Sequence, residues 1–142
     1  MKTLNEAELV SELRASGISP SPQRIAVYGF LKTHPIHPTA ERIMRELRPR
    51  LPTLSLTTVY NTLKLFVSKK LVSEVIIEDG ELRFDADLKD HAHFKCTSCS
   101  EVFDLFPEGE KMDTSGLPRL PEGFTVDSVH ICFRGRCSSC GK

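Results

Sequence analysis

The stretch SLTTVYNTLKLFVSKKLVSEVIIEDGELRFD, residues 55–85, changes its apolar period part-way along, and that change decides the fold. Ser55 stands where it can cap a helix whose Leu56, Val59, Tyr60, Leu63, Phe66 and Val67 recur at helical spacing. After Leu71 the pattern alternates instead. Val72 to Glu78 and Glu81 to Asp85 flank Asp79-Gly80, a dipeptide favoured in two-residue hairpin turns because both central residues need positive φ. A helix running into a hairpin is the second half of a winged helix.

Toward the N-terminus the helical period continues. Asn5 or Thr3 can cap a first helix carrying Leu4, Ala7, Val10 and Leu13 on one side and ended by Gly17. Pro20 and Pro22 open a second, with Ile25, Val27, Tyr28 and Leu31, which ends near Lys32 to Pro35. Thr39 caps a third, bearing Ala40, Ile43, Met44 and Leu47, and Pro49 and Pro52 stop it. The third and fourth helices form the helix-turn-helix, and the hairpin is the wing.

Toward the C-terminus, Asp87 to His91 has the look of a linker. Short strands are expected around Ala92 to Lys95, Glu101 to Phe106 and Phe124 to Phe133, with a Pro- and Gly-bearing stretch, Pro107 to Gly123, between the last two. The expected architecture is α+β: an N-terminal winged helix-turn-helix domain over 1–86, a hinge at 87–91, and a small α/β metal-binding dimerisation domain over 92–142.

The 142 residues suit one large domain or two small ones. Net charge is zero but unevenly spread. Between Arg14 and Lys70, ten basic residues face two acidic ones, a net +8; from Phe84 onward, seven basic residues face ten acidic ones, a net −3. A basic first half joined to an acidic second half suggests a polyanion partner for the first. No apolar run has signal-peptide or membrane-spanning length, so a cytoplasmic setting is expected, in which cysteines stay reduced. The five cysteines then read as metal ligands more readily than as disulfides. Cys132, outside any Cys-x2-Cys pair, is expected to be a buried or edge thiol.

A recognition helix needs an apolar face to dock on its own domain and a polar face for base edges and phosphates. In the fourth helix Leu56, Val59, Leu63 and Phe66 form the docking stripe, while Thr57, Thr58, Asn61 and Lys64 lie toward the other face. Tyr60 is amphipathic and could bond a phosphate. Arg24, in the basic segment, joins these as a candidate DNA contact.

Asp85, His91, His93, Cys96, Cys99 and Asp104 crowd two kinds of metal donor into twenty residues, and Cys137 and Cys140 close the chain. Soft sulfur suits zinc; mixed nitrogen and oxygen suits iron, manganese or zinc. The two Cys-x2-Cys pairs make a tetrahedral thiolate set. The 37 residues between them exceed ribbon spacing, so such a site would staple strands together. Structural zinc in such sites contributes about 10–16 kcal/mol of apparent binding free energy to folding. His91 and His93, two apart, point to one side of an extended strand. Asp85 and Asp104 could join them, and His37 lies far back, in the loop before the third helix.

Pro22-Gln23-Arg24, Thr58-Val59-Tyr60-Asn61, the His91-Ala92-His93 segment running into Cys96 and Cys99, and the ending Cys137-Ser138-Ser139-Cys140 together resemble the ferric uptake regulator family over nearly the whole chain. Asn61 and Asp104 stand where iron-uptake members usually carry arginine and glutamate, which makes the chain most similar to the family's peroxide-sensing branch. The resemblance implies a regulatory iron(II) or manganese(II) held by His37, Asp85, His91, His93 and Asp104, and structural zinc on Cys96, Cys99, Cys137 and Cys140. Three nitrogens and two carboxylates would leave one octahedral position open. It also implies that peroxide oxidises His37 or His91 when iron is bound, releasing a palindromic double-stranded operator from a homodimer. A further site involving His130 and an acid of the preceding segment (Glu108, Glu110 or Asp113) finds no secure partner here; His130 is read as structural and His34 as solvated.

The expected function is therefore a metal-dependent, peroxide-responsive transcriptional repressor, with no enzymatic activity. A sensor of iron, manganese or zinc availability is the same-class alternative. A metal-dependent hydrolase is disfavoured, because five protein ligands would crowd the metal and no separate general base stands out.

Overall fold

A computed structural model of the chain describes residues 4–78, 81–89, 91–109, 115–126 and 129–141. Among the described residues, four helices precede five strands: α1 Glu6–Ala15, α2 Pro22–Thr33, α3 Ala40–Leu47, α4 Leu56–Ser68, β1 Ser73–Glu78, β2 Glu81–Asp85, β3 Ala92–Cys96, β4 Val102–Leu105 and β5 Cys132–Gly135. They fall into two units, Met1–Leu88 and Lys89–Lys142.

Each helix of the first unit begins at a side-chain cap. Asn5 accepts from the Ala7 amide, Ser21 from Arg24, Thr39 from Arg42 and Ser55 from Thr58, at 3.1–3.2 Å. Every one satisfies a backbone donor that the first helical turn leaves without an intrahelical acceptor. The Thr3 alternative for α1 lies outside the described residues. Pro22 occupies the first turn of α2, where its missing N–H costs nothing. α1 gives way to Gly17 at φ +77°, a conformation that favours glycine.

The inward face of α1 differs from the expected one. Leu9 and Leu13 are buried, whereas Ala7 is exposed and Val10 half-buried. Turning Leu9 inward removes far more apolar surface from water than Ala7 could offer, and that sets the rotation. In α4, Val59, Leu63 and Phe66 are buried as the stripe requires, joined by Thr62, while Tyr60 stays exposed. Val27, Ile43, Val59, Leu63, Phe66 and Phe84 form the centre of the core, with Tyr28 edge-on to Phe66 at 5.8 Å between centroids.

β1 and β2 pair antiparallel from Ser73↔Asp85 to Glu78↔Glu81, with a register shift between Ile76 and Glu78. Asp79 and Gly80 fall outside the described residues. Phe84 points into the helical core, so alternation sends Arg83 and Asp85 to the other face of β2. The four helices and the hairpin make the winged helix-turn-helix.

The second unit is a three-stranded sheet in the order β4-β3-β5, antiparallel between β3 and β4 and parallel between β3 and β5. The strand expected over Phe124 to Phe133 is shorter. Among the described residues only Cys132–Gly135 joins the ladder, while the Phe124 amide closes a turn onto the Pro121 carbonyl at 3.2 Å, with Gly123 at φ +83°. Pro121 and Gly123 impose a turn where alternation alone suggested extension. Glu110 and Asp113, named from sequence, lie outside the described residues.

Candidate metal centres and DNA-facing helix

The cysteine cluster is built by two tight turns. After β3, the Ser100 amide returns to the Cys96 carbonyl at 3.0 Å and brings Cys99 back beside Cys96; Ser100 sits at φ +65°. After β5, the Cys140 and Gly141 amides close on the Cys137 carbonyl at 3.1 and 2.8 Å. Parallel pairing of β3 with β5 places the two turns side by side. One ligand atom from each of Cys96, Cys99, Cys137 and Cys140 lies within 4.8 Å of all the others, with Cys99 Sγ and Cys137 Sγ 3.9 Å apart. The edge of a zinc–thiolate tetrahedron with bonds of about 2.3 Å is about 3.8 Å.

Charge supports the fit. The backbone amides of Cys99 and Cys137 donate to Cys96 Sγ at 3.5 and 3.4 Å and hold its thiol down to about 6. The neighbouring Cys137 and Cys99 sulfurs push Cys140 up to about 12. Four thiolates cannot share so small a volume without a cation, and this donor set fits zinc. Cys132 lies outside the group, exposed on the edge strand β5.

The oxygen and nitrogen donors form two sets, one in each unit. In the first, His37 Nε2 and Asp85 Oδ2 are 3.1 Å apart, both residues buried. His37 is a non-glycine residue at φ +51°. Its loop is tied to the wing by the Phe84 amide on the Pro38 carbonyl (3.1 Å), a bridge between Thr39 and Arg83, and Arg83 Nη1 donating to the His37 carbonyl (3.3 Å). The other carboxylate oxygen of Asp85 accepts from the Asp87 amide at 2.8 Å, which leaves Oδ2 directed at His37.

In the second unit, antiparallel pairing sets His93 opposite Asp104. Asp104 Oδ1 is 3.1 Å from His91 Nε2 and 3.4 Å from His93 Nε2, and the two rings meet edge-on at 4.6 Å between centroids. His91 Nδ1 donates to the Lys89 carbonyl, which in the neutral ring leaves the Nε2 lone pair for a ligand. Phe106 packs over the His91 ring at 5.0 Å. Two imidazole nitrogens converging on one carboxylate suit a borderline-hard divalent cation.

Of the candidate DNA contacts, Thr57, Tyr60, Asn61 and Lys64 are exposed along α4. Thr58 is half-buried, with its hydroxyl 2.9 Å from Ser55 Oγ at the helix cap. Arg24 Nη1 donates to the Ser19 carbonyl at 2.8 Å. Tyr60 is committed elsewhere than expected: its hydroxyl donates to Glu41 Oε1 at 2.7 Å. His130 is exposed; His34, read as solvated, is exposed at the end of α2, where its ring stacks on Phe30 at 4.3 Å. Glu41 and Arg83 were not singled out from sequence. The signal for Arg83 was its i, i+2 spacing from Asp85, which fixes a common face.

The sequence pattern of the ferric uptake regulator family matches residues 15–132. The chain belongs to that family. It is 33% identical to the peroxide operon regulator of Bacillus subtilis (strain 168) over 135 residues, 95% of this chain and 92% of that one. The solved peroxide stress regulator of Campylobacter jejuni is 26% identical, with a TM-score of 0.62 over 99% of this chain and 100% of that one. The Helicobacter pylori ferric uptake regulator, 19% identical, shares the fold with a TM-score of 0.73 over 100% and 98% of the two chains. Membership of the ferric uptake regulator family makes the chain a metal-dependent transcription regulator rather than an enzyme. Among the described residues no helix is long and apolar enough to cross a membrane.

Proposed function

We propose that this protein is a homodimeric, metal-dependent repressor that binds a palindromic operator and releases it on exposure to peroxide. The observation that carries the reading is the division of five nitrogen and oxygen donors between the two units: His37 and Asp85 in the wing-bearing unit, His91, His93 and Asp104 in the sheet unit. One iron(II) or manganese(II) taking all five ligands would favour a single arrangement of the winged-helix domain (1–86) and the dimerisation domain (92–142) about the hinge at 87–91. If that arrangement is the one that fits two half-sites, metal shifts the population toward DNA binding.

Zinc on Cys96, Cys99, Cys137 and Cys140 would hold the sheet unit together. Dimerisation would use that unit's exposed apolar residues, among them Phe103, Leu105, Val129 and Phe133, since two half-sites require two-fold symmetry. Thr57, Thr58, Asn61, Lys64 and Arg24 would meet DNA, with Tyr60 at the same face.

Iron(II), when bound, would supply the electrons that reduce peroxide. His37 and His91 are the imidazoles that would gain oxygen and lose their hold. The relatives named for peroxide support this branch over a sensor of iron, manganese or zinc availability, which would use the same donors without oxidation. The metal dependence is tested with His37→Ala, measuring operator binding by fluorescence anisotropy with and without manganese(II). Loss of metal-activated binding with zinc content intact is expected; a variant that still responds normally would overturn the proposal.

A further inference from the structure

β2 contributes more than Asp85 to the first donor set. Glu81, Arg83 and Asp85 share the strand face turned away from the core, and Arg83 lies between a ligand and the wing tip. Its guanidinium spans two acceptors, the His37 carbonyl through Nη1 at 3.3 Å and Glu81 Oε1 through Nη2 at 3.1 Å. The side chain is only 12% exposed, and Nε is buried with no hydrogen-bond partner. A guanidinium so enclosed gives up hydration that two bonds only partly return, so its placement needs a gain elsewhere.

That gain lies at His37. A left-handed backbone at a non-glycine residue persists only where its surroundings over-determine it. Here the next carbonyl, of Pro38, is held by the Phe84 amide, and Thr39 bridges to Arg83 itself. The His37 carbonyl is held by the Arg83 side chain. We propose that Arg83 is a positioning residue for the regulatory metal: it fixes the backbone of His37 so that the imidazole faces Asp85 before the metal arrives. The inference rests on the reading of His37 and Asp85 as metal ligands. It adds a residue outside the donor set that sets the site's affinity through preorganisation.

The test uses full-length, zinc-loaded protein titrated with manganese(II), free metal being read by electron paramagnetic resonance. Arg83→Ala should weaken manganese binding about tenfold or more, in the range seen when outer partners of metal ligands are removed. Arg83→Lys should bind almost as poorly, because an ammonium cannot span both acceptors. Millimolar methylguanidinium should restore affinity to Arg83→Ala, and zinc should remain at its wild-type content. In metal-free protein, Arg83→Ala should also speed hydrogen exchange at the Phe84 amide.

Wild-type manganese affinity in Arg83→Ala, alongside a His37→Ala control that loses it, would overturn the positioning role and leave the ligand assignment standing. Wild-type affinity in His37→Ala would overturn the ligand assignment and this inference with it. Full recovery in Arg83→Lys would also overturn it, by reducing the role to charge alone.

Discussion

His37 Nε2 stands 3.1 Å from Asp85 Oδ2 although 48 residues separate them in the chain. The loop before α3 and the last residue of the wing meet in one unit, so His37, which looks isolated in sequence, has a partner already in place. Asp85→Asn keeps the size and one hydrogen-bonding oxygen but removes the charge. It should weaken manganese binding by about tenfold or more, checked by the same titration, while leaving the zinc content at its wild-type value. Unchanged manganese affinity would remove Asp85 from the site.

The Tyr60 hydroxyl donates its one hydrogen bond to Glu41, so it cannot donate to a phosphate while that bond lasts. Tyr60→Phe should therefore leave the salt dependence of operator binding unaltered. Lys64→Ala should lower the slope of log K against log salt by about one. Anisotropy titrations across a salt series compare the two directly.

The cysteine cluster makes a proton prediction. Cys96, held down to about 6 by the Cys99 and Cys137 amides, is a thiolate at pH 7.5, whereas Cys140, pushed up to about 12 by its neighbours, must give up a proton to bind metal. Zinc uptake by the reduced, metal-free protein should release fewer than four protons per zinc. Calorimetry in buffers of different ionisation enthalpy counts them.

Between α1 and α2, the buried Tyr28 hydroxyl donates to Glu12, which also pairs with Lys32 at 3.3 Å. The Tyr28 hydrogen bond, then Lys32, holds the Glu12 carboxyl below its ordinary range. A carboxylate lowered in the folded state stabilises it above the unfolded-state value, and that contribution disappears as pH falls through the folded value. Tyr28→Phe should therefore cost stability at pH 7 and make the loss between pH 5 and pH 3 shallower. Urea melts at a series of pH values measure it.

Much of this was legible in the chain. Caps at Thr39 and Ser55, the break in period after Leu71 and the two Cys-x2-Cys pairs are local signals, and each produced the element or cluster it announced. Long-range pairing was not legible. The inward turn of Leu9 depends on what α2 offers it. The shortness of β5 depends on which backbone finds a partner in the ladder, and the commitment of Tyr60 depends on Glu41, nineteen residues away on another helix. Arg83 was overlooked because its i, i+2 spacing from Asp85 shows a shared strand face but not the acceptors, the His37 carbonyl and Glu81, that its guanidinium reaches.

The most direct measurement loads the protein with iron(II) or manganese(II), adds hydrogen peroxide, and follows operator binding together with peptide masses. A peroxide-sensing repressor loses DNA binding in the iron form alone, with one oxygen gained on the peptide holding His37 or His91. Continued operator binding by both metal forms, with both peptides unmodified, would contradict it and make the protein a sensor of metal availability.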